Sequence, residues 1–228
     1  MDKDLERNIL DMTKHRADIG FSPLNQIEAY WEGLRGTRMI PKRSEIDPRG
    51  IESALEFTFV LERIAPGMAR LRIAGSHLSD LMGMEVRGMP LTSFITPNGR
   101  RQISDTLEEV FQRPAVCEIR LSGEQGAGKP QMDARMLLLP LKSDLGDVSR
   151  VLGCLVAHGE IGRSPRRFDV IGAKIRPIVA SAEAPQPPRE DVPRKQPAVP
   201  GFAETKTPFK APKPDTGIPY LRLVKSDD

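Results

Sequence analysis

Between Ser22 and Gly36, apolar residues recur at helical spacing, with Leu24, Ile27, Trp31 and Leu34 three and four apart and polar residues filling the intervals. Ser22-Pro23 offers a capping residue with proline at the first helical position, and Gly36 offers a stop, so a helix is predicted. Asp47-Pro48 repeats that start for a short helix ending near Ala54. The period then changes to two. Leu55, Phe57, Phe59 and Leu61 alternate with Glu56, Thr58, Val60 and Glu62, which predicts a strand, and Ala65-Pro66-Gly67 turns the chain into a second strand from Met68 to Ala74. Helix and loop signals follow from Ser76 to Leu91. Thr96-Pro97 opens a longer helix whose apolar face is Ile103, Leu107, Val110 and Phe111, and Pro114 ends it. Three more strands are predicted over Ala115 to Leu121, Met132 to Leu141 and Val151 to Ala157. The last, VLGCLVA, is apolar on both faces, as a central strand covered on both sides would be.

Composition places a boundary near Gly159. Of 21 prolines, 12 fall after it, and APQPPREDVPRKQPAVPGFAETKTPFKAPKPD has almost nothing to bury. The expected organisation is a flexible segment over 1–21, a domain with its leading helix over 22–160, and a disordered proline-rich tail over 161–228. Up to Gly159 the chain holds 21 Lys and Arg against 22 Asp and Glu; beyond it, 13 against 9. The net charge of +3 therefore resides in the tail, and it is too small and too dispersed to argue for nucleic acid. The N-terminal 20 residues mix charges throughout and resemble neither a signal peptide nor a membrane anchor. Cys117 and Cys154 sit in apolar runs without metal-ligand or redox spacing, so buried reduced thiols and a cytoplasmic address are expected.

One stretch imitates a nucleotide-binding signature. Gly123 to Lys129 satisfy G-x-x-x-x-G-K, but Pro130 stands where a Ser or Thr would ligate magnesium. A phosphate-binding loop also needs a helix after the lysine, and MDARMLLLPL reads as a strand, so a hairpin turn is expected here. Ser76, His77 and Asp80 do not make a triad, because neighbours on a helix point about 100° apart; a capping Ser76 and a surface His77 are expected instead. With His15, His77, His158 and two distant cysteines, no metal-ligand spacing arises.

The order of elements, together with YWEGLRGTRMIPKRSEIDPRGI (Tyr30 to Ile51), LRIAGSHLSDLMGMEVRGMPL (Leu71 to Leu91), VFQRPAVCEIRLSG (Val110 to Gly123) and LLLPLKSDLGDVSRVLGCLV (Leu137 to Val156), resembles a PAS domain. It is similar in particular to stand-alone bacterial PAS proteins with a W-E-x-L-R-G header, here Trp31 to Gly36. The resemblance implies an α+β fold: a five-stranded antiparallel sheet in the order 2-1-5-4-3, with helices on one face and an N-terminal helix before it. Met82 and Met84 depart from the pattern, where a bulkier and often aromatic residue is expected. PAS domains can hold haem, flavin or small metabolites between sheet and helices. Pro97 to Arg113 contains no histidine for haem, and the flavin-binding N-C-R-F-L type of motif is absent, so no cofactor is expected. Periodicity and resemblance together place Phe57, Leu81, Met84, Leu107, Phe111, Cys117 and Leu139 along the cleft, either as plain core or as the lining of a site for a small apolar metabolite.

A signalling module without catalytic activity, working through protein partners, is the implied function. Leu24, Ile27, Trp31 and Leu34 form a stripe that suits either a homodimer contact or packing on the chain's own sheet. Tyr220, Leu221 and Leu223 in GIPYLRLVKSDD, and Phe168, Val170 and Ile171 in RRFDVIGAKI, are apolar clusters that suit docking segments.

Overall fold

The computed structural model describes residues 20–179. Helix α1 (Ser22–Arg35) carries Pro23 in its first turn and stops at Gly36, whose φ of +53° suits a residue without a Cβ. Phe21, not Ser22, is the capping position, and no side chain caps the helix. Two 3₁₀ segments follow, Arg43–Glu45 and Pro48–Phe57; the second starts at Asp47, whose side chain accepts from the Arg49 N–H at 3.0 Å. This second segment absorbs Leu55 and Phe57, which alternation assigned to a strand, and β1 begins only at Thr58 (Thr58–Ala65). The turn at Gly67 (φ +64°) leads into β2 (Met68–Ala74).

Helix α2 (Ser76–Met82), two short 3₁₀ turns and α3 (Arg100–Gln112) form the next layer. Strands β3 (Ala115–Gly123), β4 (Asp133–Lys142), β5 (Val148–His158) and β6 (Phe168–Pro177) complete the chain.

The sheet is antiparallel with the order β2-β1-β5-β4-β3-β6, so the expected 2-1-5-4-3 arrangement is present with a sixth strand added beside β3. The five-strand expectation is corrected accordingly, and ordered chain runs past position 160. Phe168 is fully buried, Val170 and Ile175 pack against the same core, and β6 pairs with β3 from Gly123 to Ala115. The segment read as a docking cluster is thus a strand of the sheet; prolines and charges on either side hid its short alternation.

Both faces of the sheet are covered, not one. On the inner face α2 and α3 bury Phe59, Leu61, Leu71, Cys117, Ile119, Met136, Leu138 and Leu155. On the outer face α1 and the Pro48–Phe57 segment cover Val60, Val116, Leu137, Leu139, Leu152 and Cys154. Leu24, Ile27 and Trp31 supply the covering stripe at 5%, 0% and 0% exposure, each worth about 1.5–3 kcal/mol of apolar burial. The stripe packs on the chain's own sheet, while Leu34 remains half-buried. Central β5 is buried on both faces, as its sequence predicted. Gly153 in its middle lies under the Phe59 ring, where an added Cβ would come within 2.2 Å of ring carbons.

Candidate functional site

The predicted cleft residues divide between the two faces. Leu81, Leu107, Phe111 and Cys117 meet on the inner face with at most 4% exposure, packed against α3 and the sheet. Leu139 does not join them. Register pairs it with Leu152, and both face α1; its neighbour Leu138 points inward, because a one-residue step along a strand reverses the face. Phe57 belongs to the outer cluster and stacks edge-on with His77 at 5.0 Å between ring centroids. Met84, past the end of α2, is 57% exposed and lines nothing on the inner face. Inner-face residues that the sequence reading missed include Phe59, Phe94 and Met136.

The two cysteines lie on opposite faces of the sheet, Cys117 inner and Cys154 outer, and both are free thiols. Burial pushes each thiol up to about 12, so neither is a nucleophile near neutral pH.

His77 is not a surface residue. Its Nε2 accepts the Ala157 N–H at 3.2 Å, its ring is half-buried, and burial holds its pKa below the ordinary value. Gly75 is the capping position of α2, Ser76 and Asp80 are exposed, and the accepting nitrogen is already engaged. Among the described residues no group of His, Cys, Asp and Glu is arranged to hold a metal ion.

The loop imitating a phosphate cradle joins β3 to β4. Lys129 donates its N–H to the Gly126 carbonyl at 2.9 Å, and its ammonium pairs with the Glu124 carboxylate within the same loop. A strand, β4, follows, so no helix N-terminus faces the glycines. The loop is latched by Arg166, which in the sequence counts only as one of several dispersed basic residues after Gly159. This fully buried side chain donates to the Ile161 and Pro130 carbonyls at 2.7 and 2.6 Å, and an added Cβ on Gly123 would lie 2.8 Å from it.

A cavity of about 510 Å³ opens on the outer face, away from α3. Its floor is Val60, Ile73 and Leu152, three cross-strand neighbours of β1, β2 and β5. The Pro48–Phe57 segment walls it through Ile51 and Leu55, and Arg43 and Ile46 stand at one side. Beyond Val60 on β1, Glu62 carries three arginines: Arg70, Arg72 and Arg150. The hydrogen bond from Arg72, joined by those of its neighbours, holds the Glu62 carboxyl below the usual range.

Residues 20–156 match the PAS domain family, and the chain belongs to it. A structure titled as the light state of the blue-light photoreceptor Aureochrome1 LOV is similar at 12% identity and a TM-score of 0.37, over 49% of this chain and 88% of that one. A comparison with curated proteins returns no match. PAS domains are general sensory and signalling modules, and that class describes this chain. No helix among the described residues is long and apolar enough to cross a membrane.

Proposed function

We propose that the chain is a cytoplasmic, non-catalytic regulatory PAS module whose output is contact with another protein. The observation that carries this reading is the sixth strand. β6 ends the sheet, and past Phe168, which the Ile95–Thr96 segment touches, its outer edge has no strand partner among the described residues. An unpaired edge presents a row of N–H and C=O groups on which a partner's strand can be added. Exposed Ile171, Lys174 and Arg176 lie along this strand and supply side chains to select that partner. Since α1 spends its apolar stripe on its own sheet, a homodimer through Leu24, Ile27 and Trp31 fits less well than one through this edge. Tyr220, Leu221 and Leu223 lie outside the described residues and enter the proposal as a second contact, on their sequence alone.

The test is affinity capture from the native host with the full chain, with Ile171→Lys, and with Tyr220, Leu221 and Leu223 all changed to Ser. A discrete set of proteins that binds the full chain and is lost with either variant supports the reading. An interaction set unchanged by both variants overturns it.

A further inference from the structure

We propose that the outer-face cavity is a binding site for a small free amphiphile, an apolar chain or ring system bearing one anionic group. This goes beyond the protein-contact reading and does not depend on it. The inner face, between the sheet and α3, is filled by Phe59, Leu107, Phe111 and Met136 at no more than 4% exposure. The outer cavity differs. Its floor of Val60, Ile73 and Leu152 and its wall of Ile51 and Leu55 are apolar, yet Ile73 is 50% and Leu55 is 42% exposed. Large apolar side chains converging around a concavity of about 510 Å³ fit the size and lining of sites for one small molecule.

Charge gives the ligand its class. The lining holds two charged residues, Arg43 and Glu56, whose neighbours along the chain meet opposite ends of the sheet. Glu56 precedes β1 next to Gly75, at the end where β2 finishes; an added Cβ on Gly75 would lie 2.1 Å from the Glu56 carbonyl. Arg43 belongs to the segment that bridges to Lys142, at the end where β4 finishes and β5 begins. Arg70 and Arg150 lie at that same end, directly opposite Glu62 on the strands to either side of it. Three arginines gather on the Glu62 carboxylate there, one of which, Arg150, also acts on Asp147. Arg43 itself makes no ion pair among the described residues. An anionic group is therefore favoured at the Arg43 end, with its apolar body laid over Val60, Ile73 and Leu152 toward Gly75.

Decanoate and decanol are the probes, each titrated below its micelle or solubility limit into the full chain by calorimetry. The expected result is saturable binding of one decanoate per chain. Ile73→Trp and Leu55→Trp, two rim positions whose exposure tolerates a larger ring, should each fill the cavity and weaken decanoate by tenfold or more, by roughly the cost of overpacking. Arg43→Gln should weaken decanoate by about fivefold and leave decanol unchanged, as for a half-exposed charge pair. Circular dichroism melts of each variant separate a filled cavity from a lost fold. Absence of saturable decanoate binding overturns the proposal, and so does binding that both tryptophan variants leave intact in folded protein. Decanoate binding that arises only when Tyr220, Leu221 and Leu223 are changed to Ser would assign the cavity to the chain's own C-terminal segment, and would overturn the proposal equally.

Discussion

The indole N–H of Trp31 donates to the main-chain carbonyl of Pro140 at 3.0 Å, with both residues buried. That bond fastens α1 to the C-terminal end of β4 and helps close the outer face. Trp31→Ala removes the largest side chain of the outer cluster and is expected to destabilise the fold by about 3–5 kcal/mol. Trp31→Phe keeps much of the packing but strands the Pro140 carbonyl, for about 1–3 kcal/mol. Urea unfolding followed by far-ultraviolet circular dichroism measures both, since Trp31 is the only tryptophan and its fluorescence disappears with it. Equal and negligible losses would mean that α1 does not dock on the sheet.

Gly153 and Phe59 form a second such pair, one on each of two adjacent central strands. A Cβ at position 153 would sit 2.2 Å from the Phe59 ring, and the ring is fully enclosed, so it has nowhere to move. Gly153→Ala is expected to cost about 1–3 kcal/mol or more through overpacking. The Phe59→Leu change should recover part of that loss in the double variant, giving a coupling energy of at least about 0.5 kcal/mol in a double-mutant cycle. Simple additivity would show that the two residues do not touch.

Much of this architecture was legible because one period dominated each segment. The α3 face of Ile103, Leu107, Val110 and Phe111 is buried as spaced, and VLGCLVA takes the central position that its two apolar faces demand. Sequence reading failed where two signals overlapped. Leu55 and Phe57 continue an alternating pattern, yet backbone inside the 3₁₀ segment claims them, because the pattern carries no mark for where a strand starts. β6 was hidden by its surroundings: a window rich in proline and charge reads as tail even when Phe168, Val170 and Ile175 share a face. The cleft list mixed Leu139 with Leu107 because β4 is apolar on both sides over Met136 to Leu139, and a run without polar interruption does not declare its faces. Arg166 left no signal of its burial; an arginine that bonds two carbonyls through its terminal nitrogens looks like any tail arginine in the sequence.

His77 ties α2 to β5 through a neutral ring nitrogen, and this makes acid stability a test of the contact. Burial, the largest influence, lowers its pKa in the folded state; Glu56 and Asp80 oppose it and His158 reinforces it. An unfolded chain would take up the proton near the ordinary value of 6.5, before the folded one does. The contribution of His77 is therefore fully present above about 6.5 and is lost as pH falls through the folded value. Between pH 7.5 and 5.5 the urea midpoint should drop more for the native chain than for His77→Gln. A drop of equal size in both would place the acid sensitivity elsewhere.

The buried thiols predict the opposite limb. Each is pushed up to about 12 from 9.0, so the unfolded chain loses these protons first as pH rises. Their contribution is intact below about 9 and declines from there toward 12. Cys117→Ala combined with Cys154→Ala should flatten the alkaline limb while lowering stability at pH 7 through two small cavities. A thiol reagent at pH 8 should label neither cysteine in the folded chain and both in urea. Prompt labelling without denaturant would contradict the enclosed positions.

Pro130→Ser completes the G-x-x-x-x-G-K-S string and so separates the string from the geometry. A phosphate site requires amides at the start of a helix, and here β4 follows, with Lys129 already paired to Glu124 inside its own turn. The completed sequence should neither bind ATP with magnesium in equilibrium dialysis nor shift its melting temperature with the nucleotide. Lys129→Ala should change stability by no more than about 1 kcal/mol, the worth of a partly exposed ion pair. Nucleotide binding gained in Pro130→Ser and lost again with Lys129→Ala would mean that the segment after Lys129 can refold into a helix, and that the glycines between β3 and β4 serve phosphate as well as the turn.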